Sequence, residues 1–207
     1  MQAESTNPRH HRLVVIVRGC IILPLVALVL LLVLNEPLRL GLIGQLMSRV
    51  DVCPSNASLV LGSYQSSYRN RPDGVTVIYT AECEVQGRRQ RVLGMDHYQG
   101  WGIGGGGSSA YGDPQPQAGN PVEYIITGGQ GVDRNHSTVY GRTFDQRIAT
   151  VEVIYANGRQ AQDQPIGGLF AVSIDEYVAA CEIILRDDSG ASLQRLPLPP
   201  GNLPGDC

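Results

Sequence analysis

The side chains best suited to redox, metal or acid–base chemistry beyond residue 35 are Cys53, Cys83, Cys181, Cys207, His97 and His136. No two of these cysteines stand at C-x-x-C spacing and the two histidines are far apart in the chain, so a zinc site is not expected. His97 follows Asp96 and His136 precedes Ser137, and neighbours on a strand point to opposite faces, so neither pair makes a catalytic dyad. Neither a G-x-S-x-G elbow nor an H-E-x-x-H sequence occurs. All 16 basic residues are arginine, which excludes Schiff-base chemistry, pyridoxal phosphate attachment and a Walker A clamp. The run Gly102-Ile103-Gly104-Gly105-Gly106-Gly107 lacks the lysine or following helix that a phosphate cradle needs. The expectation is a chain with no catalytic residues, no metal and no cofactor.

Beyond Asn35 the chain carries 13 arginines against 18 acidic residues, and Arg88, Arg89 and Arg91 form its one basic cluster, beside a turn. That balance gives no support for nucleic-acid binding. Tyr98, Trp101 and Tyr111 flank or enter the glycine-rich stretch and are candidate contacts for a partner, since aromatic side chains on a loop are a common recognition device.

What must hold these residues is read from hydropathy and period. Leu13 to Leu34 contains 19 apolar residues in 22 positions. At 1.5 Å per helical residue that is about 33 Å, enough to cross a hydrocarbon core. No small-x-small cleavage site follows Leu34, so an uncleaved transmembrane helix over 13–34 is preferred to a signal peptide. Arg9, Arg12 and Arg18 before or inside the run outweigh Arg39 and Arg49 after it. The expected orientation is a cytoplasmic tail over 1–12 with the remainder extracytoplasmic.

Residues 35–50 form an amphipathic juxtamembrane segment, in which Leu38, Leu42, Ile43, Leu46, Met47 and Val50 recur at helical spacing. It lies on the membrane or packs under the following domain, and packing is preferred. From Asp51 the period becomes two. Val75, Val77, Tyr79, Ala81, Cys83 and Val85 share one face and Thr76, Thr80, Glu82 and Glu84 the other, with Ile78 out of pattern, which predicts a half-buried strand. With strands at Ser58 to Ser63 and Gln90 to Met95, this makes a first β meander over 51–99. Residues 100–121 are expected as a flexible Gly/Pro-rich loop, 122–196 as a second β unit, and 197–207 as a proline-rich tail. Asn157-Gly158 is expected as a type I′ hairpin turn. Eight or nine short strands with little helix predict an all-β, antiparallel sandwich behind one transmembrane helix.

Four cysteines outside the span predict two disulfides with three possible connectivities. If Ser58 to Ser63 pairs with the strand from Val75, residues whose numbers sum to about 139 lie opposite, and Cys53 and Cys83 sum to 136. Cys53 with Cys83 is therefore preferred, leaving Cys181 to hold the tail through Cys207. Buried free thiols at Cys83 and Cys181 are the alternative.

The series Tyr140-Gly141-Arg142, Arg147 to Val153, Asn157-Gly158, Gly168-Leu169-Phe170 and Asp187-Asp188-Ser189-Gly190 resembles the immunoglobulin-like modules of bacterial membrane-anchored proteins of uncharacterised function. The resemblance covers roughly 138–196, carries over no catalytic residue, and implies an Ig-like sandwich. The lack of lysine also fits a GC-rich bacterial coding bias. The sequence thus leads to a non-enzymatic, single-pass membrane protein. It meets the lipid bilayer through Leu13 to Leu34 and binds an unknown protein or glycan outside, with a dispersed-site hydrolase or a structural envelope component as alternatives.

Overall fold

The computed structural model describes residues 34–72, 74–99, 108–112, 119–130, 135–199 and 203–207, with positions 24, 26–28, 30 and 31. Among the described residues, helix α1 (Glu36–Asp51) is followed by twelve strands. These are β1 (Ser58–Leu59), β2 (Gln65–Arg71), β3 (Gly74–Val85), β4 (Arg88–Tyr98), β5 (Ser108–Gly112), β6 (Val122–Gln130), β7 (Asn135–Thr143), β8 (Thr150–Tyr155), β9 (Gln160–Asp163), β10 (Leu169–Ile174), β11 (Ala180–Arg186) and β12 (Ser192–Pro197). They form three antiparallel sheets: a first of β1 to β5, a second of order β10-β7-β6, and a third of order β12-β11-β8-β9. The described positions before Asn35 are helical and exposed, and no helix among the described residues is long and apolar enough to cross a membrane. Most of the expected span 13–34 and all of the tail 1–12 lie outside those residues.

Three apolar clusters set the layers. Val75, Val77, Tyr79, Ala81 and Val92 of the first sheet pack with Leu40 and Met47 of α1. On the opposite face, Ile78, Leu93 and Met95 meet Tyr140, Leu169 and Ala171 of the second sheet. Val139, Phe170 and Val172 then turn the other way, onto Val151, Val153, Ile183 and Leu185 of the third sheet. Because side chains alternate along a strand, β7 and β10 supply both of their neighbouring layers.

This stacking corrects the expectation that β3 is half-buried. Both its faces are covered, which is why Ile78 breaks the alternation, and the hydroxyl of the buried Thr80 donates to the Val92 carbonyl at 3.0 Å. Its polar partner β2 gave no apolar signal in the sequence, yet it pairs with β3 from Gln65 opposite Thr80 to Arg71 opposite Gly74. Only Ser58 and Leu59 of the expected strand Ser58 to Ser63 pair with β3, opposite Glu84 and Cys83. Within the expected loop, Ser108–Gly112 is a strand on the edge of β4; the glycine run lies outside the described residues.

Helix α1 packs beneath the first sheet, but of the residues its apolar spacing suggested only Met47 joins that contact. Leu40, Gly41, Gly44 and Ser48 are buried, while Leu42, Ile43, Leu46 and Val50 face outward. A Cβ at Gly44 would lie 2.7 Å from Val77 Cγ2, so only glycine allows the helix to come this close. The Tyr64 hydroxyl, 2.7 Å from Ser48 Oγ, donates to the Gln45 carbonyl at 2.9 Å and fastens the same side.

The type I′ turn falls elsewhere than expected. At Asn157-Gly158 only the glycine has positive φ, 79°, whereas type I′ requires it at both central residues. Gln86 and Gly87, with φ of 52° and 76°, meet that requirement in the two-residue loop between Val85 and its partner Arg88. Both preferred disulfides, Cys53–Cys83 and Cys181–Cys207, are present, so the free-thiol alternative is set aside. The second holds the tail, where Leu198 is buried and Ala179 N–H donates to the Pro204 carbonyl at 2.7 Å.

One side chain ties the first sheet to the second half of the chain. Arg69 Nε donates to both Asp163 carboxylate oxygens at 2.8 and 2.9 Å, and Nη2 donates to the carbonyls of Gln164 and Leu169 at 3.1 and 3.0 Å. Nη1 donates back to Ser67 Oγ and the Tyr68 carbonyl, so all five guanidinium protons are used. Breaking a mostly buried pair strands the remaining charge. Asp163→Asn should therefore lower unfolding stability by about 3 kcal/mol in denaturant titration. The double variant Arg69→Met/Asp163→Leu should recover much of that loss, and recovery of none would show that the pair's cost lies elsewhere.

Candidate functional site

Polar groups flank the apolar centre between the first and second sheets, and they mark two places where chemistry is concentrated. At one end Arg91 sits opposite Glu82 on the β3–β4 ladder, and Arg142 sits opposite Glu123 on the β6–β7 ladder. Arg91 Nη2 reaches across the sheets to Glu123 Oε2 at 2.8 Å. Both guanidinium groups lie over the Phe144 ring, at 5.6 Å for Arg91 and 5.5 Å for Arg142, a geometry that favours cations through the ring quadrupole.

A cleft of about 200 Å³ opens beside them, lined by Ser63, Gln65, Thr80, Glu82, Arg91 and Arg142 among others. It exists because β1 and β2 leave a gap along the same edge of β3, across Val60 to Tyr64. Its hydroxyls are committed to holding that gap. Ser63 Oγ donates to the Val60 carbonyl at 2.8 Å and accepts from Glu82 N–H at 2.9 Å, while Thr80 is bonded to Val92. Glu82 Oε2 lies 3.7 Å from Arg89, and the basic cluster beside the β3–β4 turn extends inward through the buried Arg91. Among the described residues no carboxylate comes within ion-pair distance of Arg142. The cleft therefore offers a guanidinium to an anionic group and no activated nucleophile.

At the other end the stacking of the sheets brings the charge of His136 within electrostatic range of His97. His97 Nδ1 and Thr76 Oγ1 are joined by a 3.1 Å hydrogen bond between β4 and β3. Burial holds the His97 pKa below its ordinary value, and the positive charges of Arg71 and His136 push it the same way. Arg71 is also lowered, by burial, against the opposing field of Asp175. No group of three or more His, Cys, Asp or Glu side chains among the described residues is arranged to hold a metal. Sequence spacing does not show this convergence, because it is made by stacking two sheets rather than by one element.

The aromatic contact set fares differently at each position. Tyr98 is 5% exposed, with its ring against Gly44 of α1 and its hydroxyl donating to Asp96 Oδ2 at 3.4 Å. It is thus a buried support for the helix and offers no surface to a partner. Burial raises the pKa of Asp96, and burial with the neighbouring Asp96 charge raises those of Tyr79 and Tyr98. Tyr111 belongs to β5, where its backbone pairs with Val92, and Trp101 lies outside the described residues. The comparisons with known proteins place no relative beside this arrangement: no family model, no curated protein and no solved structure matches the chain.

The depressed His97 pKa makes a pH prediction with a definite sign. Between the ordinary value of 6.5 and the lower folded value, the unfolded chain binds the proton and the folded chain does not. The His97 contribution is therefore intact above 6.5 and lost as pH falls through the folded pKa. Chemical denaturation at a series of pH values should show stability declining below 6.5, and a shallower decline in His97→Asn. Equal slopes in the two proteins would remove His97 as the source.

Proposed function

We propose that the chain is a single-pass membrane protein whose extracytoplasmic part is a binding module, taking a protein or glycan partner through an anionic group at Arg142. The observation that carries this reading is the cleft itself, with a guanidinium left for a ligand and hydroxyls already engaged in the backbone. The anchor rests on the apolar run Leu13 to Leu34, and the outward placement of the domain on both disulfides, since such bonds persist in oxidising compartments.

The residues from Val122 to Pro197 make the module an Ig-like sandwich in this reading. Their seven strands divide three against four across a common apolar cluster. Lettered A to G in chain order, they read A-B-E facing G-F-C-D. That is the constant-type immunoglobulin order with its fourth strand moved to the opposite sheet. The disulfide departs from the antibody pattern, because Cys181–Cys207 joins a strand to the tail instead of joining two sheets.

Photo-cross-linking of the full chain in its own membrane tests the binding site. Arg142→Gln should lose the partner captured by the wild type while unfolding at the same temperature, and equal capture would remove the cleft from the proposal. An export-dependent reporter fused after Cys207 should be active, and activity from a cytoplasmic reporter at that position would reverse the topology.

A further inference from the structure

We infer that the outward face of α1 lies in the headgroup region of the bilayer entered by the apolar run 13–34, an inference that rests on the membrane anchor proposed above. Leu42, Ile43, Leu46 and Val50 fall within an arc of about 100° at 3.6 residues per turn, and they are 43%, 38%, 65% and 76% exposed. The domain has taken the opposite side of the helix, through Gly41, Gly44 and Ser48, so the apolar stripe has no cover from it. Among the charged residues of α1, Arg39 is buried and lies 3.9 Å from the exposed Glu36, the exposed Arg49 carries its guanidinium over the Tyr64 ring at 5.9 Å, and Asp51 is exposed at the last position of the helix, so none of the four stripe positions is charged. The outward stripe is left apolar, as an interfacial helix requires.

Continuity identifies the occupant as lipid. Leu34, the last residue of the apolar run, is separated from α1 only by Asn35, which leaves helical geometry at φ −110° and ψ 85°. Asn35 Oδ1 accepts from Leu38 N–H at 3.1 Å, and Pro37 has no N–H to continue the ladder, so the chain is free to change direction there. Leu42 is then about 12 Å, and Val50 about 24 Å, of helix rise from Leu34. A helix this close to the membrane exit, turned at its first residues, brings all four side chains to the interface when it lies flat. Standing upright, it would leave Leu46 and Val50 in water.

Site-specific fluorescence on the full chain in phosphatidylcholine vesicles tests this, with an environment-sensitive dye on Leu46→Cys, Leu28→Cys or Ser192→Cys in a Cys20→Ser background. The dye at position 46 should shift to the blue and be quenched more by a headgroup nitroxide than by one at the lipid chain end. The dye at position 28 should be quenched by the chain nitroxide, and that at position 192 by neither. A water-like, unquenched signal at position 46 beside a quenched position 28 overturns the inference and leaves the anchor standing, whereas an unquenched position 28 overturns both. A blue shift at position 46 without lipid quenching, accompanied by a disulfide-linked dimer of the unlabelled Leu46→Cys protein, assigns the face to a second copy and overturns lipid as its occupant.

Discussion

Stacking three sheets and a helix into one body requires the inner layers to be dry, and a dry layer must satisfy every polar group it encloses. The Arg69–Asp163 pair meets that requirement where the first sheet joins the second half of the chain. Asp163 Oδ2 also accepts from Ala171 N–H at 2.8 Å, so one carboxylate fixes β10 as well as the guanidinium. The pair reaches three strands, β2, β9 and β10, each at the edge of its sheet, and it takes up the Tyr68 carbonyl and the Ala171 N–H. Lysine in place of Arg69 would supply fewer donors and no planar fork, so the two are not interchangeable here.

The same rule explains the two ends of the inter-sheet interface. Only a short apolar patch, centred on Ile78 and Tyr140, separates the Arg91–Glu123 pair from the His97–Thr76 bond. Charged and titratable groups are thereby held at the margins of that patch, and the arginine margin is the one that opens into a cleft. The candidate site is in this sense a by-product of layer packing, placed where β1 and β2 fail to share a continuous edge with β3.

Features that depend on one segment were legible in the sequence. The alternation through β3, the β-rich character of 122–196 and the pairing of Cys53 with Cys83 each follow from local pattern or a single hairpin register. The disulfide survived an approximate register: Leu59 opposite Cys83 sums to 142, not 139, and the tolerance of a cross-link near a strand end absorbs the difference. Features made by two segments were not legible. Gln65–Arg71 is polar because its burial is completed by hydrogen bonds and by the Tyr68 ring on Gly41, not by an apolar face. On α1, periodicity finds an apolar stripe but cannot tell which partner it meets, and the sheet selects glycine for close approach. The nearness of His97 and His136, and the meeting of Arg91 with Arg142, exist only after the sheets are stacked.

The Cys53–Cys83 bond closes a loop of 30 residues that contains β1, β2 and most of β3, just after α1 ends at Asp51. A pull applied through the N-terminal segment therefore enters the first sheet at Cys83, near the turn of its longest hairpin, and bypasses the edge strands β1 and β2. Tension is carried by a covalent link into the eleven-pair β3–β4 ladder, and β1 and β2 are spared from being peeled one residue at a time. The chain is thus wired so that the end of α1 and the longest strand pair of the first sheet are mechanically adjacent, although Cys53 and Cys83 are 30 residues apart in sequence.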